Sequence, residues 1–392
     1  MSSEEPALDA AAAHEWVFVS DVHLGSASSD RQSRALPRFL EHFRLEGRSS
    51  PRSAQRELVL LGDVLEFLPD GPGAPERVAT RSGALARFEV LLEGQGEVFS
   101  ALARLVADGV SIRVVPGNHD LDLHRPEVRK RFAGAIGWPH PSSRGELTFH
   151  PWIFVVPGVL HSEHGHRHHD INAVPLSPVD GSGAMSLPAA SRAGLAPGPF
   201  RPALLAALLR ERRPWVRRRS RASPEEVERT AASLGFDQGT VLQLDRMASP
   251  PLAATVWRLG RMAVPGRNHH QGDDYLERRA AAIAEEVGRS STGACVYVFG
   301  HNHRARCSGL PSNAVYLNCG TWSEDLPQST DHDRGKRYFT YASVRCSASS
   351  IEASVQEWLD EFGATRVIDM IDVPVPPGAR AGTDSPNGST TW

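Results

Sequence analysis

Lysine, cysteine and long apolar stretches are scarce in this chain of 392 residues, and each scarcity excludes a class of protein. Four cysteines without a C-x-x-C pair are too few for a disulfide scaffold. No segment approaches the roughly 18 apolar residues of a membrane-spanning helix. Residues 1–13 are acidic and lack the basic start and apolar stretch of a secretory leader. We therefore expect a cytoplasmic protein with reduced thiols at Cys295, Cys307, Cys319 and Cys346.

The charge balance does not indicate a polyanionic partner such as nucleic acid or an anionic membrane. A net charge of −3 provides no general attraction to nucleic acid or to an anionic membrane. Lysine occurs only at Lys130 and Lys336, so nearly all of the 43 basic residues are arginine. The arginines are spread along the whole chain, which indicates a compositional bias rather than a dedicated phosphate site. A hydrophobic content of 40% is ordinary for a globular protein.

Apolar, β-branched segments alternate with amphipathic ones in the first part of the chain. Strands are predicted over Glu15–Ser20, Glu57–Leu61 and Ser111–Val115. Helices are predicted between them, over Leu36–Glu46 and over residues 77–108, the latter interrupted by glycines. This order predicts a parallel sheet. A β-hairpin is expected between residues 146 and 163, and four further strands are expected over Cys295–Phe299, Ala314–Leu317, Tyr338–Val344 and Ile351–Val355.

Composition also predicts how the chain is divided. Residues 1–14 are an N-terminal extension, and residues 15–173 form the first part of an α/β core. Residues 174–290 begin with a segment rich in Pro, Gly, Ala and Ser and continue with helical patterns, which predicts a helical insertion, with a lid as one hypothesis for its role. The core resumes over residues 291–372. Residues 373–392 are polar and rich in Pro, Gly and Ser, as in a disordered tail.

Polar side chains follow five of the predicted strands directly. The carboxyl edge of an open α/β sheet is where sites are built. Imidazole, carboxylate and amide oxygen together suit divalent Mn, Fe, Zn or Co, and the absence of cysteine argues against a structural zinc site. Seven candidate ligands are too many for one tetrahedral ion but fit two ions that share a carboxylate, an arrangement that hydrolyses phosphoesters. The candidates are Asp21, His23, Asp63, Asn118, His164, His301 and His303.

These residues stand in five blocks whose order is D-x-H, G-D, G-N-H-D, H-G-H and G-H-x-H, between residues 21 and 303. The pattern resembles that of the calcineurin-like metallophosphoesterase superfamily, and Asn318–Trp322 (NCGTW) resembles what often follows its last block. The resemblance implies a four-layer α/β/β/α sandwich. It also implies a hydrolase with two divalent metal ions, Mn in the first place, with Fe, Zn, Co or Ni as alternatives.

The resemblance further implies a role for each residue. Asp21, His23, Asp63 and His303 would hold one ion, and Asp63, Asn118, His164 and His301 the other, with Asp63 bridging. A hydroxide shared by the two ions would attack in line. His119 would then stabilise the transition state and protonate the leaving oxygen as general acid. For Asp120 two roles stay open, because it would either orient the imidazole of His119 or satisfy the loop backbone.

One ligand position has a competitor. Five of the 17 histidines lie between His161 and His169. The H-G-H form at a strand end favours His164 as the ligand, with His161 as the alternative. An acidic residue is expected soon after this block, and Asp170 lies one position later in the sequence than expected.

Several substrate classes stay open. A small phosphomonoester or phosphodiester leads. A lipid-nucleotide pyrophosphate is an alternative, because Gly62–Phe67 (GDVLEF) and the insertion resemble UDP-diacylglucosamine hydrolases, although those typically carry Arg where this chain has His119. A nuclease is not favoured by the net charge. A non-catalytic scaffold is the alternative from another class. Residues 203–221, rich in arginine and leucine, predict at most a peripheral membrane contact.

Overall fold

A computed structural model describes most of the predicted core. The described residues are 13–26, 29–49, 55–68, 79–139, 145–169, 172–195, 275–287, 294–323 and 338–375. The predicted N-terminal extension up to residue 12, most of the insertion, including residues 203–221, and the tail beyond residue 375 lie outside them. Among the described helices, none has the length and apolar character to span a membrane.

The described chain alternates strands and helices and then turns to strands. The helices are α1 Asp30–Ser49, α2 Arg81–Gly94, α3 Gly96–Ala107, α4 Pro126–Ala135, α5 Ala189–Gly194 and α6 Tyr275–Val287. The strands are β1 His14–Val19, β2 Gln55–Leu61, β3 Ser111–Val115, β4 Leu147–Phe149, β5 Ile153–Val156, β6 Leu160–Glu163, β7 Val296–Phe299, β8 Ala305–Gly309, β9 Val315–Cys319, β10 Thr340–Cys346, β11 Ser350–Leu359 and β12 Ala364–Pro374.

The strands form two sheets. The larger has seven strands in the order β12-β11-β10-β1-β2-β3-β4, and the smaller has five in the order β5-β6-β7-β9-β8. Strands β1 to β4 pair in parallel, as do β6, β7 and β9. Because parallel strands end at the same edge, the loops after β1, β2 and β3 meet on one side of the molecule.

The central strands β1, β2, β7 and β9 are covered on both faces, which explains why they are largely apolar. Alternate residues of β1 show the arrangement: Val17 and Val19 pack with Phe39 of α1, whereas Trp16 and Phe18 belong to the core between the sheets. On the outer face of the smaller sheet, Leu276 of α6 belongs to a third cluster. Helix, sheet, sheet and helix therefore form the four predicted layers, and the prediction of fold class is confirmed.

Three details differ from the sequence predictions. The apolar run expected to form one arm of a hairpin divides: β4 pairs with β3 in the larger sheet, whereas β5 and β6 form the hairpin in the smaller one. His150 and Pro151 separate the two, since proline has no N–H to continue a ladder. Helix α6, which we placed in the insertion, is a layer of the core. Strand β12 continues to Pro374, two residues past the boundary set at 372.

A buried polar network lies at the opposite end of the larger sheet from the loops after β1 and β2. The Glu57 carboxylate lies 3.1 Å from His14 Nε2 and accepts a hydrogen bond of 2.6 Å from Arg113 Nε. Arg113 also donates to Glu146. Burial alone would raise the pKa of Glu57, but His14 and Arg113 hold it below the ordinary 4.5. The ionised carboxylate therefore stabilises the fold at neutral pH.

Glu57→Gln is expected to destabilise the protein by about 3 kcal/mol, because it leaves the buried Arg113 charge with a weaker set of partners. A carboxylate with a depressed pKa stabilises above its unfolded-state pKa and loses this contribution as the pH falls below about 4.5. Urea unfolding at pH 7 and pH 4 should therefore show a smaller acid loss in the variant than in the parent. Glu361→Gln, at an exposed position, is the control. Equal stability and equal acid dependence of both variants would contradict the prediction.

Candidate metal centre

The loops after β1 and β2 are joined by backbone hydrogen bonds. The N–H groups of Val22 and His23 both donate to the carbonyl of Asp63, at 2.9 Å each, and Asp21 N–H donates to the carbonyl of Gly62 at 3.1 Å. Gly62 and Gly117 permit close approach here, because a Cβ at Gly62 would meet the His164 ring and one at Gly117 would meet the Asp63 carboxylate. The backbone thus brings the predicted ligands together.

Backbone strain concentrates on these ligands. Seven non-glycine residues of the described chain have a positive φ, and five of them are predicted ligands: Asp21 (54°), His23 (53°), Asp63 (52°), His301 (70°) and His303 (60°). A left-handed conformation costs free energy in a residue with a side chain and persists where surrounding contacts impose it. The concentration of strain at five of seven candidates points to a functional site.

Asp21, His23 and His303 form a first group, whose ligand atoms lie within 4.8 Å of one another. Asp21 is fully buried. Its Oδ2 accepts hydrogen bonds from Ser20 Oγ at 2.6 Å and from His301 N–H at 2.9 Å. Its Oδ1 lies 3.1 Å from His303 Nε2. His23 Nε2 is buried without a hydrogen-bond partner among the described residues. The group therefore presents atoms whose bonding capacity is unused.

Asp63, His164 and His301 form a second group of the same kind. His164 Nδ1 lies 3.0 Å from the Leu61 carbonyl, a contact in which the ring nitrogen donates. The other ring nitrogen, Nε2, lies 3.1 Å from Asp63 Oδ2. Burial would lower the pKa of His164, but Asp63 and Asp21 raise it to about 9, so Nε2 would give up its proton when it binds an ion. Asp63 Oδ1 accepts a hydrogen bond of 2.8 Å from His119 N–H. One carboxylate oxygen is thus held by the backbone and the other faces the histidine.

The two remaining ligand positions are also resolved by contacts. Asn118 is 5% exposed, and its Oδ1 has no hydrogen-bond partner among the described residues. His161 and His164 lie on opposite faces of the sheet: His161 Nε2 lies 3.0 Å from Glu163 Oε1, away from Asp63. Of the two alternatives left open by the sequence, the contacts therefore favour His164.

The electrostatics suit a cation. Burial would raise the pKa of Asp21, but His164 and His303 hold it at about 2. Burial opposes ionisation of Asp63 as well, yet His164 and His119 keep its pKa well below the ordinary value. Both carboxylates are therefore ionised at neutral pH. Two ligands bound at right angles to one ion, about 2.1 Å from it, lie about 3 Å apart, so the pairs at 3.1 Å fit this geometry.

His119 lies at the open side of the two groups. Its side chain is 32% exposed, whereas that of Asp63 is 2% exposed. His119 Nδ1 lies 2.6 Å from Glu66 Oε2. Burial would lower the pKa of His119, but the carboxylates of Glu66 and Asp63 raise it to about 10. The imidazole is therefore protonated at neutral pH and can donate a proton to a ligand on the open side.

Comparison with known families agrees with this geometry. Residues 16–194 match the family model of calcineurin-like phosphoesterases. This part of the chain belongs to that family. Calcineurin-like phosphoesterases are metal-dependent hydrolases of phosphoester bonds, and the predicted enzyme class is confirmed at this level. No curated protein sequence matches the chain significantly.

Solved structures of similar fold share little sequence with this phosphoesterase. A dimetal phosphatase from Danio rerio is 11% identical with a TM-score of 0.41, over 93% of this chain and 99% of the other. A predicted phosphoesterase from Streptococcus pneumoniae is 12% identical with a TM-score of 0.32, over 92% and 98%. Vacuolar protein sorting 29 from Cryptosporidium parvum is 11% identical with a TM-score of 0.31, over 92% and 98%. These likenesses are too weak to assign a function.

The contacts of Asp120 in this phosphoesterase distinguish between the two roles proposed for it, orientation of the His119 imidazole and hydrogen bonding to the loop backbone. Its Oδ2 accepts a hydrogen bond of 3.0 Å from Val64 N–H, and its Oδ1 accepts one of 2.5 Å from Gly117 N–H. Both carboxylate oxygens are thus used by the loop backbone. Glu66, not Asp120, contacts the imidazole of His119. Of the two roles left open by the sequence, the contacts therefore favour the one in which Asp120 satisfies the loop backbone.

Sequence reasoning missed two residues. Glu66 Oε2 contacts both His119 and, at 3.3 Å, His23 Nδ1. Its place three residues after Asp63 was a usable signal, since the two lie in one loop. Asn172 Nδ2 lies 3.0 Å from His169 Nδ1 and 3.2 Å from His301 Nε2. No motif marks it. Asp170 lies outside the described residues.

Proposed function

We propose that this protein hydrolyses phosphomonoesters or phosphodiesters with two divalent metal ions. Asp21, His23 and His303 bind the first ion, and His164, His301 and Asn118 bind the second. Asp63 is shared by both. Manganese is the first choice, because imidazole, carboxylate and amide oxygen suit it, and iron, zinc, cobalt and nickel are the alternatives.

The single observation that carries the proposal is the pair of adjacent ligand groups with unused buried atoms. Among the described residues, His23 Nε2 and Asn118 Oδ1 have no hydrogen-bond partner, and Asp21 Oδ1 and His164 Nε2 have only the 3.1 Å contacts with His303 and Asp63. Buried polar atoms are otherwise almost always bonded, because leaving one unbonded costs about 1–3 kcal/mol. These four atoms at two ionised carboxylates support a site built for cations.

The chain's own residues account for binding and proton transfer. Bound ions would supply an activated water and neutralise charge on the phosphoryl oxygens. Glu66 orients His119 through the 2.6 Å contact with Nδ1, which leaves Nε2 as the donor. His119 then protonates the oxygen of the leaving group as general acid. Asp120 holds Val64 and Gly117 in place, so that Asp63 and Asn118 keep their positions.

Metal analysis and a substrate screen test this proposal. The purified protein is stripped with a chelator, reloaded with Mn, Fe, Zn, Co or Ni in parallel, and analysed for metal content. We expect about two ions per chain and hydrolysis of p-nitrophenyl phosphate or bis-p-nitrophenyl phosphate that appears only after loading. Fewer than one ion per chain, with no hydrolysis in any metal, would contradict the proposal and favour a scaffold.

The same screen separates the substrate classes that remain open. Cyclic nucleotides, a UDP-linked lipid and DNA are included beside the aryl phosphates. Preferred hydrolysis of the UDP-linked lipid would place the protein with lipid-nucleotide pyrophosphohydrolases, and preferred cleavage of DNA with nucleases.

A further inference from the structure

A cluster of cationic and imidazole side chains surrounds Trp152, next to the second ligand group. We call it the Trp152 cluster. Its members are Trp152, the side chains of His124, His166 and Arg167 that contact its ring, and Arg129, which lies close enough to His124 to lower its pKa. The ring of His124 lies 4.3 Å and that of His166 5.5 Å from the Trp152 ring, between centroids. Arg167 Cζ lies 5.0 Å from the centroid of the same ring. Trp152 thus holds two imidazoles and a guanidinium on one aromatic side chain.

His166 connects this cluster to the metal centre. Its ring lies 5.5 Å from that of His164 and 6.3 Å from that of His301. It is 1% exposed, and neither ring nitrogen has a hydrogen-bond partner among the described residues. His166 belongs to none of the ligand groups found among the described residues. Both ring nitrogens of His166 therefore remain available to bind another ligand.

The two arginines lack the carboxylates that normally accompany buried guanidinium groups. Within the described residues, Arg167 makes neither a hydrogen bond nor an ion pair, and its Nε is buried. Arg129 donates from Nε to the Leu123 carbonyl, and no carboxylate of the described chain pairs with it. Asp122, close by in sequence, is occupied by Arg87 at 2.7 Å and Arg125 at 2.8 Å. Both residues are partly buried, and a partly buried cation without a counter-charge carries a desolvation cost.

The charges of both arginines converge on His124. Burial lowers the pKa of His124, and Arg129 and Arg167 lower it further, to about 3. His124 is therefore neutral, and its buried Nε2 has no hydrogen-bond partner among the described residues. The cluster thus combines two positive charges with three imidazole nitrogens that remain available, on His124 and His166.

We propose that the Trp152 cluster binds an anionic group of the substrate other than the phosphoryl group that is hydrolysed. The inference rests on the proposed function, since it assumes that the scissile phosphate lies at the ligand groups. It narrows the substrate class to phosphoesters with a second anionic group, either a phosphate or a carboxylate. Arg167 and Arg129 supply the charge, and His166 supplies an N–H donor between this group and the metal centre.

Binding of phosphonates, which are not hydrolysed, tests the inference by calorimetry on metal-loaded protein. The probes are butylphosphonate, butane-1,4-bisphosphonate and 5-phosphonopentanoate, with analogues of two to six carbons. We expect at least one bisphosphonate or phosphonocarboxylate to bind about tenfold or more tightly than the matched monophosphonate. Tighter binding of the bisphosphonate would identify the second anionic group as a phosphate, and tighter binding of the phosphonocarboxylate would identify it as a carboxylate. No preference at any chain length would overturn the inference.

Variants test whether the Trp152 cluster causes the preference for a second anionic group. Arg167→Gln is expected to reduce the ratio of the two affinities about tenfold, and Arg129→Gln provides a second test if the first variant does not fold. Arg131→Gln is the matched control, because Arg131 lies on α4, as Arg129 does, but is exposed and paired with Glu89. An unchanged ratio in a folded, metal-loaded Arg167→Gln or Arg129→Gln protein would overturn the inference. Binding without hydrolysis of any ester would instead count against the proposed function.

Discussion

Asp63→Asn is expected to reduce turnover by on the order of 10³-fold or more, as several kcal/mol of transition-state charge stabilisation are lost. It is also expected to lower the occupancy of both metal positions, because Asp63 is the one ligand assigned to both. The substitution removes the negative charge but keeps the shape. An asparagine oxygen can still accept the hydrogen bond from His119 N–H, and asparagine tolerates the left-handed φ of 52° at this position. The loss should therefore reflect ligation and not misfolding.

Metal content per chain and kcat for p-nitrophenyl phosphate, measured on the same preparations, check this expectation. Asp372→Asn on β12 is the control, since Asp372 is exposed and distant in sequence from every ligand block. Circular dichroism establishes that both variants are folded. Two tightly bound ions and a near-normal rate in Asp63→Asn would refute the bridging assignment.

His119→Ala is expected to retain both ions and to lose on the order of 10²–10⁴ in rate, the usual contribution of a general acid. The loss should be large for an alkyl phosphate, whose leaving oxygen needs a proton. It should be much smaller for p-nitrophenyl phosphate, whose leaving group is stable as an anion. The comparison of the two substrates is an internal control for metal content and folding, because both substrates use the same protein. Equal losses for the two esters would exclude the acid role.

Glu66→Gln separates orientation of His119 from its chemistry. The carboxylate accepts from Nδ1 and contributes to the raised pKa of the imidazole. Replacing this carboxylate by the neutral amide of glutamine is expected to reduce turnover of the alkyl ester about tenfold to 100-fold. This loss is smaller than the loss expected when the imidazole itself is removed. The alkaline limb of the pH–rate profile should move to lower pH, because a less stabilised imidazolium loses its proton sooner. A profile identical to that of the parent would contradict this role of Glu66.

Much of the fold could be predicted because local patterns and strand order are sufficient for it. Parallel strands end at a common edge, so the blocks after β1, β2 and β3 had to converge in one sheet and those after β6 and β7 in the other. Patterns of this kind do not show which sheet a short strand joins. The run from Thr148 to Val156 is largely apolar, and only the pairing of β4 with β3 reveals that it divides between the sheets.

The amino-acid sequence by itself determined the types of the candidate ligands, their order and their place at strand ends, and with them the predicted reaction class. The tertiary structure decided which neighbours face each other. It placed His164 against Asp63 and His161 against Glu163. It placed the imidazole of His119 against the carboxylate of Glu66, and the carboxylate of Asp120 against the loop backbone. The physical reason is that the pairings of His164 with Asp63 and of His119 with Glu66 join residues more than 50 positions apart, and such pairings depend on strand register and sheet packing. No local pattern records this choice.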